Sequence, residues 1–262
     1  MAVPQLICKI EVNFLGQLAH PNINRLLGYC IDEPEHLLVY EYMPNKAFGY
    51  FLFEDIAKQL SWETRLSIMI GAARGLTYLH SKNFKLGGFK PSNILLDEDF
   101  NAKLGGFELE KYYRETLDSH GFPCVISRHS CYTAPEYIRI GQMTTKSDIY
   151  GFGKVLLESI LGTEEGSCHR YGYEEHHSFL DWVTEIKLNK RMLEKILDLR
   201  FEGKYQLEGA TECLALALRS VVDSPKDRPS SEKVLQSLEQ IYARLSSEKL
   251  RQSLEQIFAV SP

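Results

Sequence analysis

The sequence has little that would mark it for nucleic acid, membrane or metal. Its 30 Lys and Arg stand against 35 Asp and Glu, a formal net charge of −5, so no basic field is present to hold a phosphate backbone. No apolar run approaches the ~20 residues that a membrane-spanning helix needs. The opening MAVPQLICKI lacks the charged-then-apolar layout of a secretory signal, and position 2 is not the glycine that N-myristoylation requires. Cysteines at 8, 30, 124, 131, 168 and 213 form no CxxC pair and no Cys/His metal spacing, which reads as free thiols in a reducing compartment. The paired His176-His177 reads as a surface turn, and no metal site is expected. With 44% hydrophobic and 25% charged residues, the 262-residue chain has core enough for one large domain or two lobes. The expectation is a soluble intracellular protein.

Periodicity divides the chain. Apolar residues at 10, 12, 14, 15 and 18 predict a short helix over Ile10–Leu18, with Glu11 as its conspicuous acid. The runs NINRLLGYCI and HLLVYEYM predict two strands about the turn residues 32–35. From Ser61, Trp62, Leu66, Met69, Ile70, Ala73, Leu76 and Leu79 share one face of a long helix. KSDIYGFGKVLLESILG predicts a buried helix, residues 112–133 a long polar surface loop, and the chain beyond Phe179 helices broken near 198–205 and 224–229. The tail repeats itself: QSLEQIYA at 236–243 returns as QSLEQIFA at 252–259.

A second repeat carries the functional reading. KLGGF at 85–89 returns at 103–107, eighteen positions later, and NILL followed by DEDFN between the copies predicts strand, turn, strand. Gly-Gly alone explains only a turn. Taken with LVYEYMPN, PSNILLDEDFNAKL, APEY, TTKSDIYGFG and LEGATECLALALRSVVDSPKDRPS, in that order, the chain resembles the eukaryotic protein kinases. More narrowly, it is similar to the receptor-like cytoplasmic kinases of plants. The resemblance runs from about residue 10 to about 245. It implies an α+β, two-lobe fold: a shortened small lobe over 1–43 (one helix and two strands), a mainly helical large lobe over 44–245, and a helical tail over 246–262.

Protein kinases place a catalytic Asp in a His-Arg-Asp-x-Lys-x-x-Asn loop and a metal-binding Asp in an Asp-Phe-Gly triplet. Here the first stretch is Leu86-Gly87-Gly88-Phe89-Lys90-Pro91-Ser92-Asn93 and the second is Gly106-Phe107-Glu108. Lys90 and Asn93 match the family, while Gly88 and Gly106 stand where the two carboxylates belong. The spacing between the two glycines is the family's own. Glu11 matches a helix glutamate whose lysine partner would lie on strands that this chain does not carry ahead of it. Arg128 and His129 replace the Gly-Thr that usually precedes Ala-Pro-Glu, and Glu108, two residues late, is a poor substitute metal ligand.

Structural parts of the family are retained. Glu136 and Arg228 match a buried ion pair, Asp148 a helix aspartate that anchors the catalytic-loop backbone, and Leu86 an apolar replacement expected to stack beneath Phe107. Tyr40, Glu41, Tyr42 and Met43 match the hinge that would touch adenine. The resemblance implies a pseudokinase with no cofactor beyond weak ATP binding, acting as scaffold, decoy or regulator in receptor-kinase or immune signalling. Its implied partner is a protein: a receptor kinase, another cytoplasmic kinase or an immune receptor. Its implied location is the cytoplasm, with plasma-membrane contact only through that partner. The alternative is a Ser/Thr protein kinase transferring the ATP γ-phosphate. Thr116, Ser119, Ser127 and Ser130 read as solvated loop hydroxyls, and Gly87 removes the arginine that would receive a phosphate there.

Overall fold

The computed structural model describes residues 12–32, 35–54, 59–107, 131–141, 143–162, 194, 197–201 and 204–259. Glu11, Glu108, the four loop hydroxyls, Arg128, His129 and the His176-His177 pair lie outside them. The architecture is α+β, as the resemblance implied. Near the start, residues 12–15 make one helical turn, closed by the Gly16 amide on the Val12 carbonyl at 2.9 Å. It ends sooner than the helix predicted to Leu18: residues 16 and 17 already form a turn.

Strands β1 (Leu26–Asp32) and β2 (Glu35–Tyr40) pair antiparallel, with Tyr29 opposite Leu38 and an irregularity between Leu26 and Gly28. The chain then turns through a short helix, α1 (Phe48–Phe53), into α2 (Trp62–Ser81). Ser61 caps α2, its hydroxyl accepting from the Thr64 amide at 3.2 Å, and twelve of the helix's residues are buried. A second two-stranded sheet, β3 (Ile94–Leu96) and β4 (Ala102–Leu104), lies across α2. Gly75 permits that crossing: a β-carbon there would sit 2.6 Å from the Asn22 carbonyl oxygen and 3.0 Å from Leu104 Cδ1.

Past α3 (Pro135–Ile140), helix α4 (Thr145–Leu161) forms the centre of the large lobe. Thr144 and Ser147 form a reciprocal capping box at its start, and Gly162 ends it in the left-handed region at φ 68°. Every residue from Asp148 to Leu161 is buried, so this stretch of the helix has no solvent face and is held by packing on all sides. Helix α5 (Leu207–Ser220) packs on α4, and α6 (Ser231–Ala259) packs on α2 and α5 through Val234, Leu238, Ile241 and Leu245. Helix α6 is continuous across 245, so the tail set off at residue 246 begins inside a helix that also serves the core. No helix among the described residues is long and apolar enough to cross a membrane.

Candidate functional site

The two KLGGF turns meet at Asn93. Its side-chain Nδ2 donates to the Gly88 carbonyl at 2.8 Å and to the Gly106 carbonyl at 3.2 Å. Its own carbonyl accepts the Gly105 amide at 2.9 Å. The tight turn Pro91–Asn93 positions it, with the Asn93 amide donating to the Lys90 carbonyl at 3.0 Å. Lys90 is half-buried at the start of that turn. Gly87 and Gly106 hold positive φ of 77° and 63°, conformations that glycine adopts without steric cost. The structure thus brings together Gly88, Gly106, Asn93 and Lys90, the positions read from the sequence.

The backbone of the first turn is held from beneath. Asp148, at the first turn of α4, accepts the Leu86 and Gly87 amides at 2.9 Å each. Its Oδ2 also lies 3.0 Å from His80 Nε2, and His80 Nδ1 lies 3.0 Å from the Ser231 hydroxyl. His80 and Ser231 were not singled out from the sequence. A histidine in the last turn of α2 and a serine starting α6 carry no local signal that they meet. Phe107 packs partly against the core, and the ring beside it is Phe84, 6.3 Å away edge-on, which in turn stacks on Phe14 at 4.2 Å. An aromatic stack therefore stands against Phe107, and Leu86 is buried in the core against which Phe107 packs, with its amide held by Asp148.

The residues matched to the hinge, 40–43, lie at and just after the end of β2. Tyr40 is partly buried on the core, while Tyr42 is 83% exposed. The Glu41 amide donates to the Arg25 carbonyl at 2.9 Å, and its carboxylate accepts from Lys103 Nζ at 2.7 Å. The Met43 carbonyl accepts the Lys46 amide at 3.3 Å. The Lys103–Glu41 pair ties the hinge to the strand that leads into the second glycine turn.

Glu136 and Arg228 form two hydrogen bonds of 2.7 Å in a fork, and Arg228 also donates to the carbonyls of Lys146, Val222 and Asp223. Burial would raise the Glu136 carboxyl; the Arg228 hydrogen bonds, backbone donation, the Arg228 charge and the Ser147 hydroxyl outweigh it and hold it below its ordinary value. A second buried charge cluster escaped the sequence reading. Arg65 meets Asp198 at 2.7 Å and the Ser159 carbonyl at 2.9 Å, while Arg200 forks onto the same carboxylate and reaches the carbonyls of Phe51 and Leu52. Burial would raise the Asp198 carboxyl too, but the Arg200 hydrogen bonds and the Arg65 charge bring it below its usual value.

The donor set at the glycine turns does not fit a divalent cation. Such an ion takes hard oxygen ligands, carboxylates foremost. At this site the amide N–H groups of Asn93 face two carbonyls, and the positions opposite are glycine. Among the described residues no group of three or more His, Cys, Asp or Glu is placed to hold a metal ion.

Comparison with known proteins agrees with this architecture. The family profile for protein tyrosine and serine/threonine kinases matches residues 5–238. The chain is 42% identical over 233 residues to a probable serine/threonine-protein kinase, PBL3, of Arabidopsis thaliana, covering 88% of this chain and 54% of that protein. It is 43% identical over 233 residues to an EPD1-interacting receptor-like cytoplasmic serine/threonine-protein kinase of Nicotiana benthamiana, covering 88% and 50%. It is 41% identical over 235 residues to receptor-like cytoplasmic kinase 176 of Oryza sativa subsp. japonica, covering 88% and 59%. The chain thus spans about half the length of the relatives it matches. By the extent of the profile match the chain belongs to the protein kinase family, and the relatives it is similar to are plant receptor-like cytoplasmic kinases.

Proposed function

We propose that this chain is a catalytically inactive member of its family, a pseudokinase that serves as scaffold, decoy or regulator in plant receptor-kinase or immune signalling. One observation carries the reading: Gly88 and Gly106 face Asn93 where the family's two catalytic carboxylates belong. A positioned general base contributes roughly 10²–10⁴ in rate. Losing the metal clamp as well removes much of the electrostatic stabilisation of a transferring phosphoryl group. These losses do not add linearly, because the parts act as a unit. A working rate does not survive them together.

A scaffold needs a surface. On the β1–β2 sheet, Leu27, Tyr29, Leu37 and Val39 are each more than half exposed. Two strands alone are marginally stable, and an uncovered edge is a template for another chain. These features support a protein partner: a receptor kinase, another cytoplasmic kinase or an immune receptor. One relative is named for an interaction with another protein. The protein would act in the cytoplasm, meeting the plasma membrane through that partner. No cofactor is required, and ATP would bind weakly, at the Tyr40–Met43 hinge.

The second reading is a Ser/Thr kinase, favoured by the names of the relatives. Thermal unfolding with ATP, with and without Mg²⁺, separates the two when paired with a phosphotransfer assay. Binding to the native state stabilises it by about 2.7 kcal/mol at a hundredfold excess over Kd. A melt indifferent to Mg²⁺-ATP and no transfer support the pseudokinase; an Mg²⁺-dependent upshift with transfer supports the kinase.

A further inference from the structure

Gly106 does more than omit a carboxylate. A β-carbon built on it would lie 2.3 Å from Asn93 Oδ1, 2.5 Å from its Cγ and 2.8 Å from its Nδ2. Real β-carbons do not approach other atoms so closely, so the observed Asn93 rotamer exists only because residue 106 has no side chain. Asn93 is only 9% exposed. Its Nδ2 bridges the two turns through the Gly88 and Gly106 carbonyls. Its Oδ1, the atom a hard cation would use, occupies the space of the missing β-carbon. Turning that oxygen outward would break both Nδ2 bonds.

We infer that the Asn93 amide is a clasp that joins the two glycine turns through the space vacated at position 106, and so closes the cleft to a divalent cation. The inference rests on the inactive reading and names what holds the site in its place. In this family a metal ion draws the two loops together through side-chain oxygens; here an uncharged amide joins their backbones. The cleft is therefore built to be ordered without metal or nucleotide, and the surface beside it keeps one shape whatever the nucleotide level. A fixed shape suits a scaffold, whose partner must recognise it at all times.

A double-mutant cycle on the full chain tests the clasp. Urea unfolding is measured for the parent, Asn93→Ala, Gly106→Ala and the double variant. The positive φ at 106 penalises alanine equally in both backgrounds and cancels from the cycle. The Asn93 collision does not cancel. The expected result is that Gly106→Ala lowers the midpoint markedly in the parent background and clearly less in the Asn93→Ala background. Equal losses in the two backgrounds overturn the clasp. Should Gly106→Ala fail to fold, hydrogen exchange in Asn93→Ala decides: amides of both turns, 86–89 and 105–107, should exchange about tenfold faster than in the parent. Unchanged exchange at either turn overturns the inference. Neither readout involves phosphotransfer, so a clasp that fails here and an enzyme that proves active are separate results. Titrating the parent with MgCl₂ alone closes the test: an unmoved midpoint is expected, and an upshift abolished by Asn93→Ala would overturn the closure.

Discussion

The Glu136 carboxylate and the Arg228 guanidinium lock together in two parallel hydrogen bonds of 2.7 Å, with the Arg228 side chain fully buried. The pair joins α3 to the loop before α6, far apart in the chain. Three backbone carbonyls take the remaining donors of Arg228, and Lys146 reaches the carbonyls of Arg228 and Pro229. Cutting one member leaves the other charge buried without its partner. Glu136→Ala and Arg228→Ala should each lose about 3–5 kcal/mol of stability, read by urea unfolding. The double variant Glu136→Leu/Arg228→Met should lose less than either, because no charge is then left stranded. A loss under about 1 kcal/mol for both single variants would show that the pair is not the anchor of α3.

Acid should unfold the protein in two stages. His20 is held below its ordinary value, chiefly by burial and then by the Arg74 charge. The folded state thus binds this proton less readily than the unfolded one, and the His20 part of stability is lost as pH falls below about 6.5. Glu136 and Asp198 are held below their ordinary values, so their parts are intact above about 4.5 and disappear as pH falls through their lower folded values. Unfolding midpoints measured from about pH 7 to about pH 3 should therefore decline gently and then steeply. His20→Gln should remove the first decline and Glu136→Gln should flatten the second.

Asp148 supports the first glycine turn through two amides and meets His80. Asp148→Ala leaves both N–H groups without an acceptor, and a stranded buried donor costs about 1–3 kcal/mol. The expected loss exceeds about 2 kcal/mol, with faster exchange of the Leu86 and Gly87 amides. Asp148→Asn keeps one carbonyl oxygen and should lose less. Equal losses in the two variants would mean that packing, not hydrogen bonding, is what Asp148 supplies.

Glycine in the middle of α2 allows the backbone of residues 22–24 and strand β4 to come close. Gly75→Ala forces a methyl against the Asn22 carbonyl and Leu104, and should destabilise by about 1–3 kcal/mol despite the better helix propensity of alanine. At Gly28 a β-carbon would meet nothing within 4 Å, so Gly28→Ala should stay within about 0.5 kcal/mol of the parent. Circular dichroism melts of the two variants compare them directly.

Much of the frame is written in local pattern. Ser61 ahead of an apolar 3.6-residue rhythm, and Thr144 three residues before Ser147, mark where α2 and α4 begin, because a cap and a buried stripe act within one turn of the chain. The glycines at 88 and 106 are visible as letters, and their spacing locates two turns. The helical turn at 12–15 ends sooner than its apolar pattern predicts, since Gly16 closes it and the chain turns there. The boundary at 245/246 follows the extent of the resemblance, and the end of a sequence likeness does not break a helix whose backbone continues unchanged.

Sequence by itself determined what positions 88 and 106 lack: neither glycine has a side chain to take or hold a proton or a metal. Tertiary structure alone decided what stands in that gap. Asn93 reaches both turns, Phe84 supplies the ring beside Phe107, and His80 meets Asp148 and Ser231. Arg65 finds Asp198 and the Ser159 carbonyl across the large lobe. Each of these contacts joins residues that no short window contains. A hydrogen bond or ring contact acts over a few ångströms of space, and only the packed chain sets which distant residues come within that reach.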